Sequence, residues 1–160
     1  MSGLEGRAKW VGTEQVQARP IVVPIFEGVD PRRAVEVAAE EAAASGQEVL
    51  LVAVVRRPKS LPRGFNEYAR AEWKGESPWW LYVRLLGEQT LRPHLDYLRS
   101  KGIRCDYLVE TTESVKYAIA DLPVGPSKVV VALPSRRADR EFRRLVEVLE
   151  SLRVPILITP

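Results

Sequence analysis

Few side chains of this 160-residue chain are spaced for covalent chemistry. The single cysteine, Cys105, and the single histidine, His94, exclude an intramolecular disulfide and a His/Cys metal centre. Ser135 lacks the G-x-S-x-G turn of a nucleophilic serine, Cys105 falls within a predicted strand, and His94 follows Pro93 on a predicted helix. No Walker A loop, G-x-G-x-x-G loop or metal-ligand cluster occurs. The sequence therefore favours a protein that is not an enzyme.

An arginine cluster at the start of the last predicted helix is the first candidate binding site. Its members are Arg136, Arg137, Arg140, Arg143 and Arg144. Guanidinium groups bind phosphate through pairs of N–H donors, so the cluster could form an anion site. The alternative, which we favour, is a solvated helix face partly neutralised by Asp139 and Glu141.

An aromatic and basic segment is the second candidate. Residues 65–82 hold six of the twelve aromatic side chains, and residues 56–74 hold six basic against two acidic ones. Such a segment can pack internally as a lid, form a protein interface, stack nucleic-acid bases on its rings or rest on a lipid surface. We expect internal packing first, a protein partner or self-association through residues 65–82 second, and nucleic acid or lipid last.

Composition indicates a globular protein with one domain. Hydrophobic residues make up 46% and charged residues 28%, and the net charge of +3 is too small to argue by itself for nucleic acid. No apolar run is long enough to span a membrane, and the N-terminus has no signal-peptide pattern, so we expect a cytoplasmic protein. We predict a mobile N-terminal arm over residues 1–19 and one domain over residues 20–160 with an insertion at 56–77.

The hydrophobic pattern predicts alternating strands and helices that must position these candidates. Strands are predicted at 20–26, 48–55, 103–109, 128–133 and 154–159, and the alternation in the third places it at a sheet edge. Helices are predicted from the Asp30-Pro31 cap to Gly46, at 66–74, from Ser77-Pro78 to Gly102 with an interruption or kink at Pro93, at 115–122, and along the stripe Ala138, Phe142, Leu145, Leu149 and Leu152. This order predicts a three-layer α/β/α sandwich with a five-stranded, mostly parallel sheet.

Three strings of this order carry a family resemblance. The opening IVVPIF with its turn and alanine-rich helix, the strand EVLLVAVV and the ending VPILITP resemble the universal stress protein family over residues 20–160. The resemblance implies the flavodoxin-like strand order 3-2-1-4-5. It also implies ATP or another adenine nucleotide as ligand in many members, and a homodimer in which the last strand pairs with its copy.

The chain departs from the family where ATP-binding members carry glycines after strand four. Those members have a G-x-x-G loop followed by a second glycine, which lets backbone N–H groups approach phosphates. Here no glycine follows Gly125, and the family's first-strand aspartate is matched by Phe26 or, with a one-residue shift, by Glu27. We therefore expect no cofactor and an ATP site that is lost or rebuilt.

The expected function is a non-enzymatic regulatory or ligand-binding domain of the stress-protein type. The alternatives are a nucleic-acid-binding module and a nucleotide-binding protein that uses arginines in place of the loop. The candidate site is the sheet mouth, formed by Phe26, Glu27, Val54, Ser135, Arg136 and Arg137. Phe26 and Val54 would hold a flat apolar group and the arginines an anion. Glu27 would repel phosphate or pair with the arginines, and we expect it to close the site.

Overall fold

A computed structural model describes residues 19–73, 75, 77–111, 119, 125–133 and 139–160. Almost all of the predicted N-terminal arm and of the predicted helix at 115–122 lies outside these residues. The strands are β1 (Ile21–Phe26), β2 (Val49–Val55), β3 (Cys105–Thr111), β4 (Lys128–Ala132) and β5 (Ile156–Thr159). The helices are α1 (Arg32–Ser45), α2 (Phe65–Glu72), α3 (Pro78–Ser100) and α4 (Asp139–Ser151).

The five strands form one sheet in the order β3-β2-β1-β4-β5, with every neighbouring pair parallel. Parallel neighbours need crossover connections, and the intervening helices supply them. The predicted α/β/α architecture and the strand order are therefore confirmed.

Burial along the strands explains their positions in the sheet. Every residue of β1 and β2 is buried, as expected for strands with no polar alternation that are covered on both faces. In β3 only Val109 is buried, and this strand lies at the edge, as its alternating sequence predicts. The hydrophobic pattern thus places both the centre and one edge of the sheet.

Two hydrophobic cores lie on opposite faces of the sheet. The first contains buried residues of α1 and α3, including Val35 and Leu91, packed on β1 and β2. The second contains Phe142, Leu145 and Leu149 of α4 together with Ile119. Side chains alternate between the faces along a strand, so β1 and β2 supply residues to both cores.

Helix α1 begins one residue later than predicted, whereas helix α3 begins where predicted. Helix α1 begins at Arg32, so Pro31 precedes the first helical residue instead of occupying it. The Asp30 carboxylate still caps the helix, because its Oδ1 accepts the Arg32 backbone N–H at 3.1 Å. Helix α3 begins at Pro78 behind Ser77, as predicted.

Of the two outcomes predicted at Pro93, the interruption is wrong, because α3 runs through this residue to Ser100; the kink stays a prediction. Proline removes one intrahelical hydrogen bond, to the carbonyl four residues earlier. Pro93 and Gln89, which carries that carbonyl, are both exposed, so water can serve the freed oxygen. The cost is small enough for a helix of 23 residues with a buried stripe to continue.

Helix α3 lies unusually close to β3 at Gly87. A Cβ atom at this position would fall 2.6 and 2.7 Å from the two γ carbons of Val109. The Tyr107 hydroxyl of the same strand donates a hydrogen bond to the Glu88 carboxylate, which raises the pKa of Tyr107. Glycine is therefore required for the distance between α3 and the edge strand.

Helix α4 ends one residue before Leu152, which was predicted to be the last residue of its apolar stripe. Phe142, Leu145 and Leu149 are buried, but Leu152 is 50% exposed. Helix α4 ends at Ser151, and Arg153 adopts a left-handed φ of 59° that turns the chain toward β5. Leu152 therefore lies past the helical repeat and faces solvent.

Candidate functional site

A crevice opens between the carboxyl ends of β1 and β4. The two strands pair only at Ile21 with Lys128 and at Val22 with Val129. By contrast, β1 pairs with β2 as far as Phe26, and β4 pairs with β5 as far as Ala132. The sheet is thus divided at its carboxyl end between its central strand and the next.

Pro24 explains where the β1–β4 ladder ends. In a parallel strand the N–H and C=O of one residue point to the same neighbour, and successive residues alternate. Ile21 donates its N–H to Glu48 beside β2, whereas the Pro20 carbonyl accepts the Ser127 N–H beside β4. Pro24 therefore faces β4 and has no N–H to donate to it. Proline is disfavoured in central strands, and here it marks the start of the crevice.

The helices that follow the two strands leave on opposite faces. Helix α1, after β1, packs in the first core, and α4, after β4, packs in the second. This arrangement is the topological switch point at which open parallel sheets bind ligands. The crevice is accordingly the place in the fold where a ligand is expected.

Phe26 fills the second-core side of this crevice. Its ring packs edge-on against Phe142 of α4, with centroids 6.4 Å apart, and the side chain is only 3% exposed. Val54, its register partner on β2, is 1% exposed. The two residues predicted to hold a flat apolar group are thus core residues of the protein itself.

Glu27 lies beside the crevice and is exposed. Its Oε1 accepts a hydrogen bond from the backbone N–H of Arg56, directly after β2. The carboxylate thereby joins the turn after β1 to the segment after β2. Ser135, Arg136 and Arg137 lie outside the described residues, so their predicted approach to Glu27 stays a prediction.

Two polar groups near this end of the sheet did not figure among the candidate site residues. Asp30 accepts from the Arg32 guanidinium, with Oδ2 and Nη2 2.7 Å apart, and this hydrogen bonding holds the pKa of Asp30 below its ordinary value. Thr159, opposite Ala132, is 4% exposed, and its hydroxyl has no hydrogen-bond partner in the structure as described. The Asp-Pro cap was a usable signal for Asp30, whereas nothing in the sequence pattern distinguishes Thr159.

Structural comparison identifies the architecture to which this crevice belongs. A universal stress protein family structure from Burkholderia pseudomallei matches with a TM-score of 0.58 at 19% identity, covering 90% of this chain and 97% of that one. The chain has the universal stress protein fold. A universal stress protein from Archaeoglobus fulgidus matches at 0.55 with 17% identity, covering 88% and 92%, and the same protein is also solved in complex with dAMP. One from Lactobacillus plantarum matches at 0.56 with 8% identity, covering 89% and 99%.

The α/β fold was thus correctly predicted from the order of strands and helices, and the strand order from the family resemblance. No protein-family model matches the sequence, and no curated protein matches it significantly. At identities below 20% the structural likeness establishes the fold and leaves ligand and activity open.

The segment after β2, which the sequence predicts to be an insertion, contains α2 and a group of aromatic contacts. Phe65 packs against Tyr68 and Tyr82 at centroid distances of 5.8 and 5.2 Å. The exposed aromatic side chains are Tyr68, Trp73 and Trp80, at 47%, 39% and 42%. We call the patch formed by Arg57, Tyr68, Trp73, Trp79 and Trp80 the aromatic–basic surface. The predicted internal packing therefore accounts for only part of this segment.

A cavity of about 200 Å³ lies elsewhere, between α1 and α3. It is lined by Arg32, Val35, Glu36, Pro93, His94 and Tyr97. Burial lowers the pKa of His94, so the imidazole is neutral near pH 7. His94 is therefore a half-buried residue that lines the cavity between α1 and α3.

The arginines of α4 that the structure describes lie on its solvent side. Arg140, Arg143 and Arg144 are exposed, opposite the buried stripe. Among the described residues no group of three or more His, Cys, Asp or Glu side chains could hold a metal ion. A search of the same residues found no helix with the length and apolarity needed to cross a membrane.

Proposed function

We propose that this chain is a non-enzymatic regulatory domain with the universal stress protein fold whose ordinary adenine-nucleotide site is closed. The observation that carries the proposal is the burial of Phe26 against Phe142 at the crevice. The family's first-strand aspartate is matched by Phe26, whose phenyl ring belongs to the core, or with a one-residue shift by Glu27, whose carboxylate accepts a hydrogen bond from the Arg56 backbone N–H.

A phenyl ring in place of a carboxylate at the end of β1 supports closure of the nucleotide site. A carboxylate at the strand end can accept hydrogen bonds from a ligand, but a phenyl ring offers none and occupies the space. Opening it would separate an aromatic pair and expose apolar surface, which costs about 25 cal/mol for each Å². The sequence also has no glycine after Gly125, so the backbone cradle for phosphates described for ATP-binding members has no counterpart.

A direct test is thermal unfolding with and without nucleotide. The Archaeoglobus fulgidus protein, solved with dAMP, suggests dAMP and ATP as probes. A one-site ligand at about a hundred times its Kd adds about 2.7 kcal/mol, which would raise the Tm of a domain this size by roughly 5–10 °C. We expect no rise at millimolar dAMP or ATP.

A rise would instead support the alternative, a nucleotide site rebuilt from arginines. In that case Arg136→Ala combined with Arg137→Ala should abolish the stabilisation. The matched control is Arg140→Ala combined with Arg144→Ala, which removes the same charge from the exposed side of α4. Stabilisation that survives the first pair would contradict the arginine-based site as well.

We further propose a homodimer formed through β5. This strand is an edge of the sheet, and Leu157 and Ile158 on it are 48% and 45% exposed. An exposed apolar edge strand is a template for pairing with another chain. Sedimentation should give a species of about twice the 18.0 kDa chain mass.

Two variants distinguish the dimer surfaces that the sequence suggests. Leu157→Glu should yield monomers, because it places a charge in the pairing edge. Trp80→Glu, on the aromatic–basic surface, should leave the dimer intact. If Trp80→Glu yields monomers and Leu157→Glu does not, the dimer forms through the aromatic–basic surface. A monomeric wild-type protein would refute both dimer surfaces.

A further inference from the structure

Among the described residues, the exposed large apolar side chains fall into two chemically different groups. Those between residues 68 and 80 are all aromatic, whereas Leu133, Leu152, Leu157 and Ile158 are all aliphatic. Aliphatic side chains suit a packed protein interface, since their shape allows close interdigitation. Flat rings without exposed large aliphatic neighbours suit a partner that itself presents flat faces.

Two rings of the aromatic–basic surface, Tyr68 and Trp73, are restrained by contacts with neighbouring side chains. The Trp73 indole N–H donates to the Tyr68 hydroxyl at 3.3 Å, and Tyr68 packs against Phe65. The Arg84 guanidinium lies 5.7 Å from the Trp73 ring centre. Side chains restrained in this way lose little conformational freedom when they stack on a ligand.

Positive charge lies among the rings. The Arg57 guanidinium sits over the Trp79 ring at 5.7 Å, and among the described residues no carboxylate forms an ion pair with it. The exposed basic residues nearby along the chain are Arg56, Lys59, Arg63 and Arg70, against Glu67 and Glu72. A guanidinium stacked on a ring keeps its N–H edges available for phosphate oxygens.

A concave space is lined by two of the rings and by Arg57. A cavity of about 200 Å³ is lined by Arg57, Ser77, Trp79, Trp80, Val83 and Thr111. It lies at the carboxyl ends of β2 and β3, beside the start of α3. An aromatic group entering it meets the exposed Trp80 and the guanidinium of Arg57.

We propose that the aromatic–basic surface binds single-stranded nucleic acid. Unpaired bases stack on aromatic side chains regardless of sequence, and the backbone supplies phosphates for the arginines. A duplex hides its base faces, so it would contact the charges alone. The surface therefore fits a flexible single strand of RNA or DNA.

The test is fluorescence anisotropy of the full chain with labelled oligothymidine and oligouridine, each about 15 nucleotides long, a length within the range of known single-strand sites. If two to four phosphates are neutralised, affinity should fall roughly 7- to 50-fold between 50 and 200 mM salt. Binding of either polymer supports the proposal, and comparing them separates DNA from RNA as the preferred strand. A duplex of the same length should bind more weakly.

Matched variants separate stacking from charge. Trp80→Ala should weaken binding roughly 5- to 150-fold, and Trp80→Phe should retain most of it, because a ring remains. Arg57→Ala should reduce the slope of log K against log salt by about 0.7, while Arg144→Ala on α4 should leave it unchanged. Circular dichroism confirms folding, which Trp80 substitutions should not disturb since this side chain is 42% exposed.

Four results would overturn the proposal. They are absence of oligonucleotide binding at 50 mM salt, binding that Trp80→Ala does not weaken, equal loss in Trp80→Ala and Trp80→Phe, and preferential binding to phosphatidylserine vesicles. Heparin, a polyanion without bases, serves as the charge-only reference. Its binding should respond to Arg57→Ala and not to Trp80→Ala.

Discussion

Replacing Gly87 by alanine should destabilise the protein, although alanine is the better helix former. The new methyl group would lie 2.6 and 2.7 Å from the γ carbons of Val109, whereas carbon atoms in contact prefer about 3.5–4.0 Å. Because Val109 is 6% exposed, neither it nor α3 can yield without disturbing the core. Overpacking of this kind costs about 1–3 kcal/mol, and the gain in helix propensity offsets about 1 kcal/mol.

A second substitution, at Val109, tests whether the clash with this side chain causes the loss of stability. Val109→Ala deletes both γ carbons and should cost roughly 1–3 kcal/mol by itself. In that background the Cβ of residue 109 remains 3.2 Å from the added methyl group, a contact that a shift of a few tenths of an ångström relieves. Gly87→Ala should then stabilise by up to about 1 kcal/mol through helix propensity. The sign of its effect thus changes, and the coupling between the two positions should be positive and at most about 3 kcal/mol.

Urea unfolding followed by circular dichroism measures the free energy of unfolding of the wild-type protein, the two single variants and the double variant. Ala43→Gly on the exposed side of α1 is the control that calibrates the propensity contribution, with an expected loss of about 1 kcal/mol. If Gly87→Ala stabilises the wild-type protein as it would at an exposed helix position, the close approach of α3 to β3 is refuted.

Two further predictions concern titratable groups. Burial lowers the pKa of His94 in the folded state, so the unfolded state binds protons more readily, and stability should decline as pH falls below about 6.5. His94→Gln should remove that decline between pH 7.5 and 5.5 in urea unfolding, and an unchanged slope would contradict the assignment. Burial also raises the pKa of the Cys105 thiol, so it should react with a disulfide reagent at pH 8 more slowly in the folded than in the urea-unfolded protein. Equal rates would show that the edge strand does not shield it.

Apolar runs and alternation were sufficient to predict the strands, whereas their order in the sheet came from the family resemblance. β1 and β2 are continuous apolar runs because both faces are covered, and β3 alternates because it is an edge. These patterns depend on burial, which is the largest free-energy contribution to folding. A single backbone hydrogen bond contributes less free energy than burial, which is why the interruption predicted at Pro93 did not occur.

The site was less predictable, because it depends on contacts between residues distant in sequence. Phe26 could be placed at the mouth of the sheet from its strand, but its partner Phe142 comes from the last helix. The approach of Gly87 to Val109 likewise depends on the distance between two elements, which no periodicity encodes. The hydrogen bond from Arg56 to Glu27 involves a backbone group, so side-chain chemistry gave no signal for it.

The strand order has a consequence for how two copies could share one ligand. β3, on which α3 packs, is one edge of the sheet and β5 is the other. Two copies joined through β5 would form a sheet of two times five strands, with neighbouring strands about 4.8 Å apart, so the outer edges would lie about 43 Å from each other. The assembly would then be bivalent. A strand long enough to reach both ends would bind with added avidity from its effective concentration, and a short strand would occupy each end separately.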